Sequence, residues 1–167
     1  AAGSWVYERV EDIGGASSFL HGAGGVGGTV NYVTKTATRH DISEAQIRLG
    51  SRNYRQLSLG LNRRIAGDGK GQNDHYFRID TNSERGGKWA DDNRGHSSQI
   101  VTSLLSDLGG GFTHTLAYEY HHERDHRPYW GTPTAQPAEG ELRVLDALRR
   151  KNYNSADGMY MQRVQWL

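Results

Sequence analysis

Residues 54–66 have the sequence Tyr-Arg-Gln-Leu-Ser-Leu-Gly-Leu-Asn-Arg-Arg-Ile-Ala, in which apolar and polar side chains alternate. The apolar positions are Leu57, Leu59, Leu61 and Ile65. The polar or small positions between them are Ser58, Gly60, Asn62 and Arg64. A period of two puts these sets on opposite faces of an extended chain. The stretch therefore predicts a β-strand with one apolar and one polar face.

Five further runs of the same kind surround this strand. They cover residues 44–50, 75–85, 96–108, 112–124 and 158–167. Segments rich in Gly, Asn, Asp and Ser separate most of them, as turns between strands require. The spacing predicts an all-β, antiparallel architecture of about six strands.

The connections between the runs differ strongly in length. They are residues 51–53, 67–74, 86–95, 109–111 and 125–157. So long a final connection is unusual in a compact soluble sheet. A transmembrane β-barrel accommodates it, because long loops lie on one rim and the polar strand faces line a wet interior. Because such barrels need at least about eight strands, we expect further strands outside this sequence; a small soluble sheet is the alternative.

Composition excludes several functional classes. The 167 residues include 20 Lys and Arg against 19 Asp and Glu, a net charge of +1, so we expect no nucleic-acid partner. No Cys is present, which excludes a disulfide framework, Cys-ligated zinc and thiol catalysis. No apolar run approaches the length of a transmembrane helix.

Two strands and a glycine-rich loop precede the alternating runs. We predict strands over 5–13 and 29–34. Near residue 40 the sequence pattern changes, and the alternating runs follow. Residues 22–27 match the dinucleotide-binding pattern G-x-G-x-x-G. That pattern needs a helix after it, whereas a strand-forming sequence follows in this chain, so we interpret the glycines as a closely packed loop.

The run 112–124 ends in a possible zinc motif. His122, Glu123 and His126 satisfy H-E-x-x-H, which on a helix places two imidazoles on one face and a general base beside them. The preceding residues alternate like a strand, and Pro128 follows closely. A charged strand end is the favoured interpretation, and a zinc-dependent hydrolase is kept as a distant alternative.

Several stretches resemble a known family. Residues 7–11, 16–22 and 24–35 resemble, in order and spacing, the end of the plug domain of TonB-dependent outer-membrane receptors. Residues 127–133 and 151–158 look like an extracellular loop of the siderophore-receptor branch. The resemblance implies that 1–40 is the C-terminal part of an α+β plug domain, and that 41–167 is the N-terminal part of a transmembrane antiparallel β-barrel.

The resemblance also implies a function. It indicates a fragment of a receptor in the outer membrane of a Gram-negative bacterium that imports a ferric siderophore by TonB-dependent transport. Its partners would be the siderophore, TonB through regions outside this sequence, and outer-membrane lipid. We expect no catalysis, no cofactor and no resident metal. Because the chain has eight His, a receptor for haem or another metal chelate is the alternative.

The expected ligand contacts follow from the same resemblance. They are His21 at the plug apex, Arg127, Tyr129 and Trp130 in the long loop, and His121 on the inner wall or rim, where His122 and His126 would add hydrogen bonds. The plug glycine loop would be Gly22, Gly24, Gly25, Gly27 and Gly28. Independently of the resemblance, the long loop's aromatics beside Arg and Pro suit either a ligand-contact surface or a membrane-interface anchor. By family topology, 51–53, 86–95 and 125–157 would face outside, and 67–74 and 109–111 the periplasm.

Overall fold

A computed structural model describes residues 3–15, 28–71, 73–129, 134–135, 140, 143–144, 149–152, 154 and 160–166. Within these residues every regular element is a β-strand. No helix long and apolar enough to cross a membrane occurs among them.

The strands confirm the predicted pattern. They are β1 (Tyr7–Gly14), β2 (Gly28–Thr34), β3 (Ile42–Gly50), β4 (Tyr54–Ala66), β5 (His75–Gly87), β6 (Arg94–Gly109), β7 (Phe112–His126), β8 (Thr134–Ala135), β9 (Arg143–Val144) and β10 (Tyr160–Trp166). All six predicted runs form strands whose ends lie within two residues of the prediction. The β8–β9 pair in the long loop was not predicted, because two-residue strands have no measurable periodicity.

Six strands form one antiparallel sheet in the order β10-β7-β6-β5-β4-β3. Each strand from β3 to β7 pairs with its neighbour in sequence, and β10 pairs with β7. β1 and β2 form a separate hairpin. β1 begins two residues after the predicted start at Trp5, because Tyr7 N donates to Ser4 O (3.1 Å) in a turn.

The sheet buries its polar face and exposes its apolar one. On β4, Gln56 is 4% exposed, whereas its neighbour Leu57 is 49% exposed. On the edge strand β3 the apolar Leu49 is likewise 77% exposed, and no residue of that strand is buried. In a soluble sheet the alternation runs the other way. This arrangement fits the wall of a membrane barrel, with apolar side chains outward and polar side chains inward; the barrel is not closed by these strands.

Inward-facing amides and hydroxyls form a hydrogen-bonded network across β4, β5 and β6. Gln56 Nε2 and Ser58 Oγ donate to Asn82 Oδ1 (2.8 and 2.7 Å). Asn82 Nδ2 in turn donates to Gln99 Oε1 (3.3 Å). Satisfied buried polar groups fix the relative positions of the strands that carry them.

Residues 35–41, the anchor segment, lie against this inner face without regular secondary structure. Asn62 Oδ1 accepts from Thr38 N (3.0 Å), and Asn62 Nδ2 donates to Thr38 O (2.8 Å) and His40 O (2.7 Å). Ala37 N donates to Ser103 Oγ (2.7 Å). The chain entering β3 is therefore held to β4 and β6 through its own backbone.

The two ends of the sheet differ. At one end, which we call the rim end, lie the connections 51–53 and 88–93 and the long connection after β7, and Gly87 N donates to Arg52 O (2.9 Å). At the opposite end, Asp74 accepts from Gly69 N (2.8 Å) and Gly71 N (2.9 Å). These two backbone donors stabilise the carboxylate and hold the pKa of Asp74 below its ordinary value.

Candidate ligand-binding site

Arg127 organises the rim end instead of projecting freely from it. The residue has a left-handed backbone (φ 49°) at the point where β7 ends. Its Nε donates to Asn154 O (2.8 Å), its Nη1 to Asp92 Oδ2 (2.9 Å) and its Nη2 to Asn152 O (3.4 Å). The guanidinium thus joins the β5–β6 connection to the long loop, and part of its donor capacity is used internally.

Two asparagines complete this rim junction, defined by Arg127, Asp92, Asn152 and Asn154. Asn152 Nδ2 donates to Arg127 O (2.7 Å), and Asn154 Nδ2 donates to Pro128 O (3.0 Å). These side-chain amides replace the backbone pairing that an irregular segment lacks. The junction fixes residues 152 and 154 of the long loop against the end of β7.

An aromatic pair lies close to the junction. The rings of Tyr129 and Trp89 are 4.5 Å apart at 71°, an edge-to-face contact. Trp89 is still 41% exposed. The sequence prediction included Tyr129 but missed Trp89, whose only signal was a bulky aromatic in the 86–95 connection. The pair offers a ring surface at the rim end.

His121 lies on the inner face, as predicted, opposite Gln99 of β6. It is 8% exposed, and its Nε2 lies 3.8 Å from Glu123 Oε2. Within the described residues, His121 Nε2, Gln99 Nε2 and Ser97 Oγ are buried without a hydrogen-bond partner. Such groups are costly unless something pairs with them, so this strip of the wall has free capacity to hydrogen-bond water or a ligand.

The H-E-x-x-H motif does not form a zinc site. His122, Glu123 and His126 all lie on β7, where Glu123 faces away from both imidazoles and the two histidines are roughly 13 Å apart along the strand. The helix that zinc hydrolysis would need is replaced by a strand. Among the described residues, no group of three His, Cys, Asp or Glu side chains could hold a metal ion.

Several predicted residues fall outside the described ranges. These are His21, Trp130, Gly22, Gly24, Gly25 and Gly27. Gly28 is described and begins β2 with φ 142°. A β-carbon there would lie 2.8 Å from Ile13 O, so glycine is required for the β1–β2 pairing. The predicted ligand contacts within the described chain thus occupy the rim end (Arg127, Tyr129) and the inner wall (His121).

Comparison with known proteins identifies the architecture. No family model matches the chain. The probable TonB-dependent siderophore receptor PiuA of Acinetobacter baumannii is 38% identical over 56 residues, which are 34% of this chain and 8% of that protein. The crystal structure of the siderophore receptor PiuA from Acinetobacter baumannii superposes with a TM-score of 0.64 and 26% identity over 82% of this chain and 20% of that one. The chain is homologous to part of a TonB-dependent siderophore receptor.

This homology confirms the predicted fold class and the location in the outer membrane of a Gram-negative bacterium. The proteins that the chain resembles are receptors, which is consistent with the expectation that the chain is not an enzyme. The match spans only 8% of the curated PiuA protein and 20% of the chain in the PiuA crystal structure. Similarity to a siderophore receptor supports TonB-dependent receptor function in general.

Proposed function

We propose that the complete protein imports a ferric siderophore across the outer membrane, driven by TonB. The observation that carries this proposal is the structural match to the siderophore receptor PiuA over 82% of the chain at 26% identity. In this proposal, residues 1–40 belong to the plug and residues 41–167 to the barrel wall. The rim end faces the outside, and residues 67–74 and 109–111 face the periplasm.

The rim end supports ligand capture in this orientation. The Trp89–Tyr129 pair presents aromatic surface next to a loop that the rim junction holds in place. A prearranged loop loses less conformational entropy when a ligand binds. Arg127, Tyr129 and Trp130 are proposed ligand contacts at the rim. His121 is a proposed contact on the inner wall, and His21 and the glycine loop are proposed to contribute from the plug.

Iron uptake by the complete receptor tests the proposal. A Gram-negative strain without its own siderophore receptors would express the full-length protein under iron limitation, and uptake of radioactive iron from a panel of ferric siderophores would be measured. We expect uptake of at least one chelate that stops when TonB is deleted. Uptake that is independent of TonB, or none from any chelate, would contradict the proposal.

Haem is the second candidate within the same architecture. It rests on His121, an imidazole that faces the interior of the wall. Growth on haem as the sole iron source would separate the two ligands. If haem alone supports TonB-dependent growth and His121→Ala abolishes it, then the siderophore assignment is wrong.

A further inference from the structure

A small cavity lies between the strand ends at the rim end. We call it the rim cavity. Its volume is about 120 Å³, and the residues that line it include Glu84, Lys88, Ser97, Glu123 and Asp125. A water molecule occupies roughly 30 Å³ in the liquid, so a small polar group fits. Of the predicted ligand contacts that the structure describes, none lines this cavity.

Two glycines create the space. Gly86 and Gly95 are paired across β5 and β6, between Tyr54 of β4 and Asp125 of β7. A β-carbon at position 95 would lie 2.8 Å from Asp125 Oδ1 and 3.1 Å from Lys88 Cε. Any larger residue at this position would therefore displace the groups that line the cavity.

The lining is acidic. Glu84, Glu123 and Asp125 supply three carboxylates, whereas Lys88 supplies one ammonium, which donates to Asp125 Oδ2 (2.5 Å). Arg85 also borders the cavity, but its side chain projects to the other face of the sheet, because neighbouring residues on a strand alternate. The cavity therefore favours a positively charged occupant.

Unpaired acceptors point to a group that is still to be bound. Ser97 is 4% exposed, and its Oγ has no hydrogen-bond partner within the described residues. Asp125 Oδ1 is also buried and has no hydrogen-bond partner among the described residues. Glu84 Oε2 accepts from Tyr54 Oη (3.0 Å), which leaves its other oxygen available for a donor.

The donor geometry favours an organic cation over a metal ion. In the described part of the chain no three His, Cys, Asp or Glu side chains converge closely enough to hold a metal. A primary ammonium has three N–H donors and makes charge-assisted hydrogen bonds to separate acceptors. An alkyl ammonium therefore matches both the charge and the spread of the acceptors.

We propose that the rim cavity binds the ammonium group of a ferric chelate that carries a primary amine. This inference rests on the proposed function, and it narrows the ligand to chelates with a positive side arm. Asp125 and Glu84 contribute charge, and Ser97 Oγ accepts the remaining hydrogen bond.

Two matched chelates test the proposal on the unaltered, complete receptor. Ferrioxamine B is a linear iron trihydroxamate with a terminal ammonium, and its N-acetylated form lacks the charge but retains the iron centre. Binding to the detergent-solubilised receptor would be measured by quenching of Trp fluorescence and by calorimetry. Because hydrogen bonds to a charged group are stronger than those between neutral groups, we expect the ammonium form to bind about tenfold or more tightly.

Variants then assign the preference to the cavity. Glu84→Gln and Asp125→Asn should each reduce the preference for the ammonium form severalfold, while affinity for the acetylated form changes little. Glu44→Gln on β3, outside the cavity, is the matched control and should retain the preference. If the preference survives in both cavity variants, another site recognises the amine and the proposal fails.

The outcomes also separate this inference from the proposed function. Equal affinity for the two chelates, or binding of neither while another ferric siderophore is taken up, overturns the ammonium site alone. Absence of uptake from every ferric chelate contradicts the proposed function together with the inference that rests on it.

Discussion

Arg39 binds both carboxylate oxygens of Asp107, a residue 68 positions further along the chain. Its Nε lies 3.1 Å from Asp107 Oδ2, and its Nη2 lies 2.7 Å from Asp107 Oδ1. The Asp107 carboxylate is buried and the Arg39 side chain is 56% exposed. The pair therefore attaches the anchor segment to β6 at the end of the sheet opposite the rim.

The anchor segment should depend more on Asn62 than on this ion pair. Asn62→Ala removes a fully buried side chain that makes three hydrogen bonds to the backbone of Thr38 and His40, each worth roughly 0.5–1.5 kcal/mol. We expect amide exchange at Thr38 to accelerate about tenfold or more. Arg39→Ala should produce a smaller increase at Thr38, because the Arg39–Asp107 pair joins two side chains and its loss leaves the hydrogen bond from Thr38 N to Asn62 in place.

Hydrogen–deuterium exchange of the complete receptor in detergent would measure both effects. Ser83→Ala, on the outward face of β5, is the control and should leave exchange at residues 37 and 38 unchanged. A larger effect from Arg39→Ala than from Asn62→Ala would mean that the ion pair, and not the Asn62 amide, is the main attachment of the anchor segment.

Arg127→Ala should loosen the long loop. The substitution removes hydrogen bonds to Asp92, Asn152 and Asn154. We expect faster exchange across residues 150–154 and weaker ligand binding through a less ordered loop. Arg124→Ala, at an exposed neighbouring position on β7, is the control. If Arg127→Ala weakens binding while exchange of the loop is unchanged, then Arg127 acts by contacting the ligand directly.

Trp89 should contribute to binding although the sequence prediction omitted it. Trp89→Ala removes the ring that meets Tyr129, and an aromatic contact is worth roughly 0.5–1.5 kcal/mol. We expect affinity for the ferric chelate to fall about two- to tenfold. Trp89→Phe should retain most of it. An unchanged affinity in Trp89→Ala, measured by calorimetry, would exclude the pair from the ligand surface.

The turn at residues 67–74 should be sensitive to acid. The folded-state pKa of Asp74 is lowered, mainly by hydrogen bonds from Gly69 N and Gly71 N. The carboxylate therefore stabilises the turn fully above the unfolded value of roughly 3.9. The stabilisation is lost as pH falls through the lower folded value.

Exchange of the Gly69 and Gly71 amides between pH 6 and pH 3 would measure this loss. After correction for intrinsic exchange rates, Asp74→Asn should accelerate exchange of these two amides near pH 6. It should also make their exchange nearly independent of pH across this range. Asp68→Asn retains Asp74 and should retain the dependence. An acid response that is identical in Asp74→Asn would assign the titration to another group.

Strand positions could be predicted closely because alternation is a local property. Each residue of a run such as 54–66 contributes to the same signal, so β4 was located without knowledge of its neighbours. The polar alternate positions also indicated a wet interior, and the buried Ser58 and Asn62 lie there. The all-β class therefore follows from the sequence pattern alone, whereas the division into plug and barrel was implied by the family resemblance.

The site could be predicted less fully because it depends on distant pairings. Arg127 was identified from its place in the loop, but its bonds to Asp92 and Asn154 depend on contacts between residues 27 to 35 positions apart. The rim cavity depends on Gly86 and Gly95 being paired across two strands. Neither relation leaves a periodic signal along the chain.

The outermost strands of the described sheet, β3 and β10, each pair on one side only. Their outer backbone groups are templates for additional strands, and β3 carries Ile47 and Leu49 on its exposed face. A detergent micelle can shield those side chains but cannot supply hydrogen bonds to a strand edge. Reconstitution of residues 1–167 would therefore call for a second polypeptide that lends neighbouring strands, as in split-barrel complementation, in addition to a membrane mimetic.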